Sequence, residues 1–66
     1  MKIIVNGKEM SLPEDSNIQD LVVELGFTNK RIAIEVNEAI IPKSKHQSYL
    51  LESLDRVEVI NAVGGG

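Results

Sequence analysis

Apolar residues fall along this chain in short runs whose period changes. Ile3, Ile4 and Val5 are consecutive β-branched positions, and they predict a strand over residues 1–6. Asn6-Gly7 follows, a pair in which both positions tolerate positive φ, so residues 8–12 are expected to return antiparallel to the first strand. Pro13 has no N–H to give a ladder and ends that strand. The period then lengthens. Ile18, Leu21, Val22 and Leu25 take the i, i+3, i+4, i+7 spacing of one helical face. Ser16 and Gln19 stand ahead of them as an S-x-x-Q capping box, and Gly26 sits where a left-handed C-terminal cap is needed. A helix is expected over 17–25, with Phe27 packed behind it in the core.

Period two returns over residues 31–37, where Ile32, Ile34 and Val36 share one face and Ala33 and Glu35 the other. A turn at Asn37-Glu38 leads to a short strand over 39–41, which Pro42 stops. Residues 43–55 read as loop with a short helical turn, pinned to the core by Leu50, Leu51 and Leu54. The last strand, over 56–61, turns Val57 and Val59 inward and Glu58 and Ile60 outward. One amphipathic helix and one half-apolar sheet must cover each other, because neither buries its apolar side alone. The expected class is therefore α+β. A mixed sheet of four to five strands lies under one main helix, with the first and last strands adjacent at its centre. That is the β-grasp arrangement of ubiquitin-like proteins. The domain is expected over 1–61, with a flexible C-terminal tail over 62–66.

Composition narrows the chemistry. A 66-residue chain has little material for a deep catalytic cleft. It has no cysteine, which excludes a disulfide framework, a thiolate metal site and a cysteine nucleophile. A net charge of −3, with the Lys30-Arg31 and Lys43/Lys45 pairs read as solvated loops, argues against nucleic acid as a partner. No apolar run is long enough for a membrane span, and Ile3–Val5 is too short for a signal sequence, so a cytoplasmic location is expected. His46 is the sole histidine and reads as a surface loop residue, without a second metal ligand near it. Ser44 and Ser48 beside it make no nucleophile–base set, and Glu14-Asp15 is explained by the helix dipole.

The chemistry that remains lies at the end of the chain. Gly64-Gly65-Gly66 lacks side chains and can pass through a channel too narrow for them. A carboxylate delivered this way is a poor electrophile until ATP converts it to an acyl-adenylate. Gly64-Gly65-Gly66 has neither phosphate-loop nor dinucleotide spacing, so the nucleotide site must belong to a partner.

The segments Arg31-Ile-Ala-Ile-Glu-Val-Asn37, Ile41-Pro42, Asp55-Arg56-Val57-Glu58-Val59 and Val63-Gly64-Gly65-Gly66 resemble the sulfur carriers of thiamine biosynthesis, the ThiS family. Met1-Lys-Ile-Ile-Val-Asn-Gly7 and Leu21-Val22-Val23-Glu24-Leu25-Gly26 fit the same pattern, so the resemblance covers essentially the whole chain. It implies a protein co-substrate rather than an enzyme. A ThiF-like adenylating enzyme, using its own ATP and Mg, activates the carboxylate of Gly66. A cysteine desulfurase or other sulfur donor converts that group to a thiocarboxylate. A ThiG-like thiazole synthase takes the sulfur into the thiazole moiety of thiamine. Gly64 and Gly65 thread the tail. Ile4, Ala33 and Ile60 fall on the strand face opposite the inferred core and are either a docking surface, which the resemblance favours and to which Val63 would belong, or scattered surface apolars. Asn37-Glu38 and Leu54-Asp55 depart from the family's habit of glycine at these turns, which leaves the turn geometry open. Two other readings stand beside this one. The first is a carrier for molybdopterin or another sulfur pathway. The second is a ubiquitin-like interaction module without tail chemistry.

Overall fold

The computed structural model describes residues 1–61. Strand β1 (Lys2–Val5) turns through Asn6 and Gly7, at φ 50° and 83°, into β2 (Lys8–Ser11). Helix α1 (Ile18–Glu24) follows, and Gly26 at φ 76° closes it. Strand β3 (Ile32–Val36) hairpins into β4 (Ala39–Ile41), a 3₁₀ turn occupies Lys43–Lys45, and β5 (Arg56–Asn61) ends the described chain. The strands form one mixed sheet in the order β2-β1-β5-β3-β4. β5 runs parallel to β1 and antiparallel to β3, so the two Val/Ile-rich strands do lie side by side near the centre. With α1 across one face, this is the β-grasp arrangement.

The core gathers the inward residues of the sheet against one stripe of the helix. Ile3, Ile18, Leu21, Ile34, Val36 and Val57 are its most deeply buried side chains, and Leu25, Phe27 and Ile32 pack against it partly exposed. Among the described residues no helix is long and apolar enough to cross a membrane.

Four local expectations are corrected by the structure. The capping box is Asn17/Asp20, not Ser16/Gln19. The Asp20 N–H donates to Asn17 Oδ1 at 2.7 Å, and the Asn17 N–H donates to Asp20 Oδ2 at 3.0 Å. The Ser16 hydroxyl instead donates to the carbonyl of Pro13 at 2.7 Å, which commits it to the preceding turn. Glu14 and Asp15 lie before the helix and do not cap it. Glu14 pairs with the terminal ammonium of Met1 at 3.1 Å, and Asp15 occupies a left-handed turn position at φ 67°. Of the three loop leucines only Leu51 is buried, and Leu50 and Leu54 face solvent. His46 is buried rather than exposed, and its role is described below.

The two turns that lack glycine keep the left-handed geometry regardless. Asn37 and Glu38 hold φ 51° and 73°, and Leu54 holds φ 69°. Two consecutive positive-φ residues between paired Val36 and Ala39 make the tight primed turn that suits strand twist.

Candidate functional site

β5 leads to the C-terminal segment, so the way it is held determines where that segment emerges. Two turn asparagines fix it. Asn6 Oδ1 accepts from the Val59 N–H at 2.8 Å, and Asn37 Oδ1 accepts from the Arg56 N–H at 3.0 Å. Asn37 Nδ2 also donates to Asp55 Oδ1 at 3.0 Å, while Asp55 Oδ2 accepts from the Glu52 N–H at 2.8 Å. Asp55 is buried, and these bonds satisfy both of its oxygens. The sequence reading did not single out Asn6, Asn37 or Asp55 for this role. The only available signal was the turn chemistry of the two asparagines.

The alternation along β5 turns Val57 and Val59 into the core and leaves Arg56, Glu58 and Ile60 on the open face. Ile60 lies opposite Ala33, both exposed, one residue before the strand ends at Asn61. Ile4 is not brought to them. It is half-buried and pairs with Glu9 on one side and Arg56 on the other, and Glu58 stands between it and Ile60 along β5. The expected docking patch therefore divides into an Ala33–Ile60 step at the end of β5 and an isolated Ile4. Val63, Gly64, Gly65 and Gly66 lie outside the described residues.

Register adds residues that the sequence could not place. Glu35 lies directly opposite Glu58, a like-charge pair across two interior strands, and Ile40 stands opposite Glu35 at 72% exposure. Like charges facing each other across a ladder weaken the sheet in isolation. The open face thus carries apolar and acidic positions side by side.

His46 serves the fold. Its Nε2–H donates to the Ile41 carbonyl at 3.1 Å, and its own carbonyl accepts from the Gln19 N–H at 3.1 Å. With Tyr49, whose carbonyl accepts from the Ile18 N–H at 3.1 Å, it satisfies the first free donors of α1. Ser48 Oγ donates only to the carbonyl of Lys45. Among the described residues no three His, Asp or Glu side chains converge as metal ligands.

The comparison with known proteins decides the family. A sequence model of the ThiS family matches residues 3–66. The chain belongs to the ThiS family. The sulfur carrier protein ThiS of Bacillus subtilis is 35% identical over 63 residues, covering 94% of this chain and 96% of that one. The crystal structure of a ThiS thiamine biosynthesis protein from Geobacter metallireducens superposes with a TM-score of 0.84 at 25% identity, covering 100% of both chains, so the two share a fold. The thiazole synthase of Paramagnetospirillum magneticum is 32% identical over 66 residues. That match takes in all of this chain but 20% of the synthase, so this ThiS-family chain spans about one fifth of that relative's length.

Proposed function

We propose that this chain is the sulfur carrier for the thiazole moiety of thiamine, with the carboxylate of Gly66 as its working group. The observation that carries the reading is the family match reaching residue 66, together with the near-complete mutual coverage with the Bacillus subtilis carrier. A chain without cysteine holds no side-chain persulfide, and the family reading assigns the sulfur to the carboxylate of Gly66.

In this reading a ThiF-like enzyme binds ATP and Mg. An oxygen of the Gly66 carboxylate attacks the α-phosphorus, and pyrophosphate leaves. Sulfur supplied by a cysteine desulfurase or another donor then attacks the acyl carbon, and AMP leaves. Where the donor is a persulfide, a thiol must reduce the remaining S–S bond before the thiocarboxylate is free. A ThiG-like thiazole synthase consumes that thiocarboxylate, and the carrier returns with its carboxylate restored. The chain is a co-substrate throughout, and the reaction is assigned to the cytoplasm. A ThiS-like stretch within a chain named thiazole synthase supports the pairing of carrier and synthase.

The test is the intact mass of the untagged protein after incubation with a ThiF-like enzyme, MgATP and a sulfur donor. The expected result is a gain equal to sulfur replacing one oxygen, mapped to Gly66. No gain, with the enzyme active on its own carrier, would move the chain to another sulfur pathway or to a plain interaction module.

A further inference from the structure

Beside the end of β5 lies an open cavity of about 670 Å³. Val22, Phe27 and Ile32 give it buried or half-buried apolar walls, and Lys30, Arg31 and Lys43 stand exposed around it. Among the described residues no Asp or Glu lines it, although the chain has ten acidic residues to seven Lys and Arg. Among the described residues the ion pairs are Met1–Glu14 and Lys2–Glu9, so these three cations have no carboxylate partner there. The cavity also reaches Ala33 and Ile60, the apolar step at the root of the C-terminal segment. On the open face beyond that step stand Glu35 and Glu58. The cavity side of the β5 end thus carries only cations among its charged side chains, whereas the open face carries Glu35, Glu38 and Glu58 around Arg56.

We propose that this cavity receives a loop of the adenylating partner that carries carboxylates beside an apolar side chain. Lys30, Arg31 and Lys43 would steer and orient the carrier so that its C-terminus meets the nucleotide site. The proposal rests on the carrier reading above. Three features favour a protein loop over a small anion. The cations are solvent-exposed and come from two segments, Lys30-Arg31 and Lys43, whereas small-ligand sites enclose their ligand with convergent polar groups. His46, the buried polar side chain on the wall, commits its Nε2 to the Ile41 carbonyl. The cavity is also continuous with the Ala33–Ile60 step, and exposed charges around an apolar centre are the anatomy of a protein interface. Such charges act on encounter rate and orientation more than on the chemical step.

The experiment is steady-state adenylation by the ThiF-like enzyme, with the carrier as varied substrate. The parent is compared with Lys30→Glu/Arg31→Glu/Lys43→Glu and with the milder Lys30→Ala/Arg31→Ala/Lys43→Ala, both checked for fold by circular dichroism. KM for the carrier is expected to rise about tenfold or more in the reversal variant, with kcat within about twofold. The difference should shrink between about 50 and 200 mM salt. The alanine variant should move the same way by a smaller factor. Lys43→Glu should exceed Lys8→Glu, which makes the same charge change at an exposed site away from the cavity. Unchanged KM, or equal effects of Lys43→Glu and Lys8→Glu, would overturn the proposal. So would saturable NMR shifts at Val22, Phe27 and Ile32 on titration with inorganic pyrophosphate, which would mark a small-anion site. A parent chain that is not adenylated at all removes the carrier reading and this proposal together.

Discussion

Leu54 shows how much of this fold depends on single backbone positions. It is held at φ 69° and the residue is 65% exposed, so it accepts left-handed strain without burying much in return. The left-handed region costs an L-residue about 1–2 kcal/mol, and glycine gives back about 0.5–1 kcal/mol in chain entropy. Leu54→Gly is therefore expected to stabilise the protein by up to about 1 kcal/mol, read as a higher urea midpoint at unchanged slope. A lower midpoint would mean that the leucine packs in a way its exposure conceals. The helix start offers a second test. Asn17→Ala should cost about 1 kcal/mol and Gln19→Ala less than about 0.5 kcal/mol, because Asn17 holds the reciprocal pair with Asp20. The opposite ranking would restore the Ser16/Gln19 box. The sequence holds both candidate boxes one residue apart. What separates them is the bond from the Ser16 hydroxyl to Pro13, a turn contact that spacing alone does not reveal. His46 was misplaced for a similar reason, since its burial depends on two carbonyls and a helix terminus that meet only in three dimensions.

At the scale of elements, periodicity was a sound guide wherever the chain is regular. The alternation in β3 and β5 and the stripe on α1 correctly name the inward residues Ile34, Val36, Val57, Val59, Leu21 and Val22. The stretch between β4 and β5 holds the expected short helical turn at Lys43–Lys45, but its anchoring was not legible, because it rests on backbone contacts rather than a repeat, as in Ile18 N–H to Tyr49, Leu51 N–H to Ser16 and Leu54 N–H to Lys2. Register was the second gap. Alternation puts Ile4, Ala33 and Ile60 on one face, but only the pairing of Ile4 with Arg56 shows how far Ile4 stands from the other two. The Ala33–Ile60 step is what remains of the proposed docking surface. Ile60→Asp points outward and adds its charge to a solvent-facing position, so it should cost about 1 kcal/mol or less in stability. Adenylation by the ThiF-like enzyme should fall at least about tenfold, as for loss of an apolar anchor at an interface. A normal rate in a folded variant would remove the open face of β5 from the docking surface.

At the scale of the whole molecule, the two ends of the chain are predicted to respond differently to extension. The ammonium of Met1 is built into the fold. It pairs with Glu14 at 3.1 Å and donates to the Leu12 carbonyl at 2.6 Å, beside the β1–β2 ladder. A residue added before Met1 should therefore lower stability modestly and leave sulfur loading intact, because the carboxylate of Gly66 is untouched. A residue added after Gly66 should do the reverse. The core, the cap of α1 and the asparagine clasps on β5 all lie within residues 1–61, so the thermal midpoint should not move. The carboxylate would then sit one residue beyond the position the activating enzyme receives, and the mass gain on incubation with ATP and a sulfur donor should fall to background. An interaction module would tolerate both extensions. A carrier tolerates only the first, so normal loading of the C-terminally extended chain would count against Gly66 as the group that holds sulfur, whatever the fold resembles.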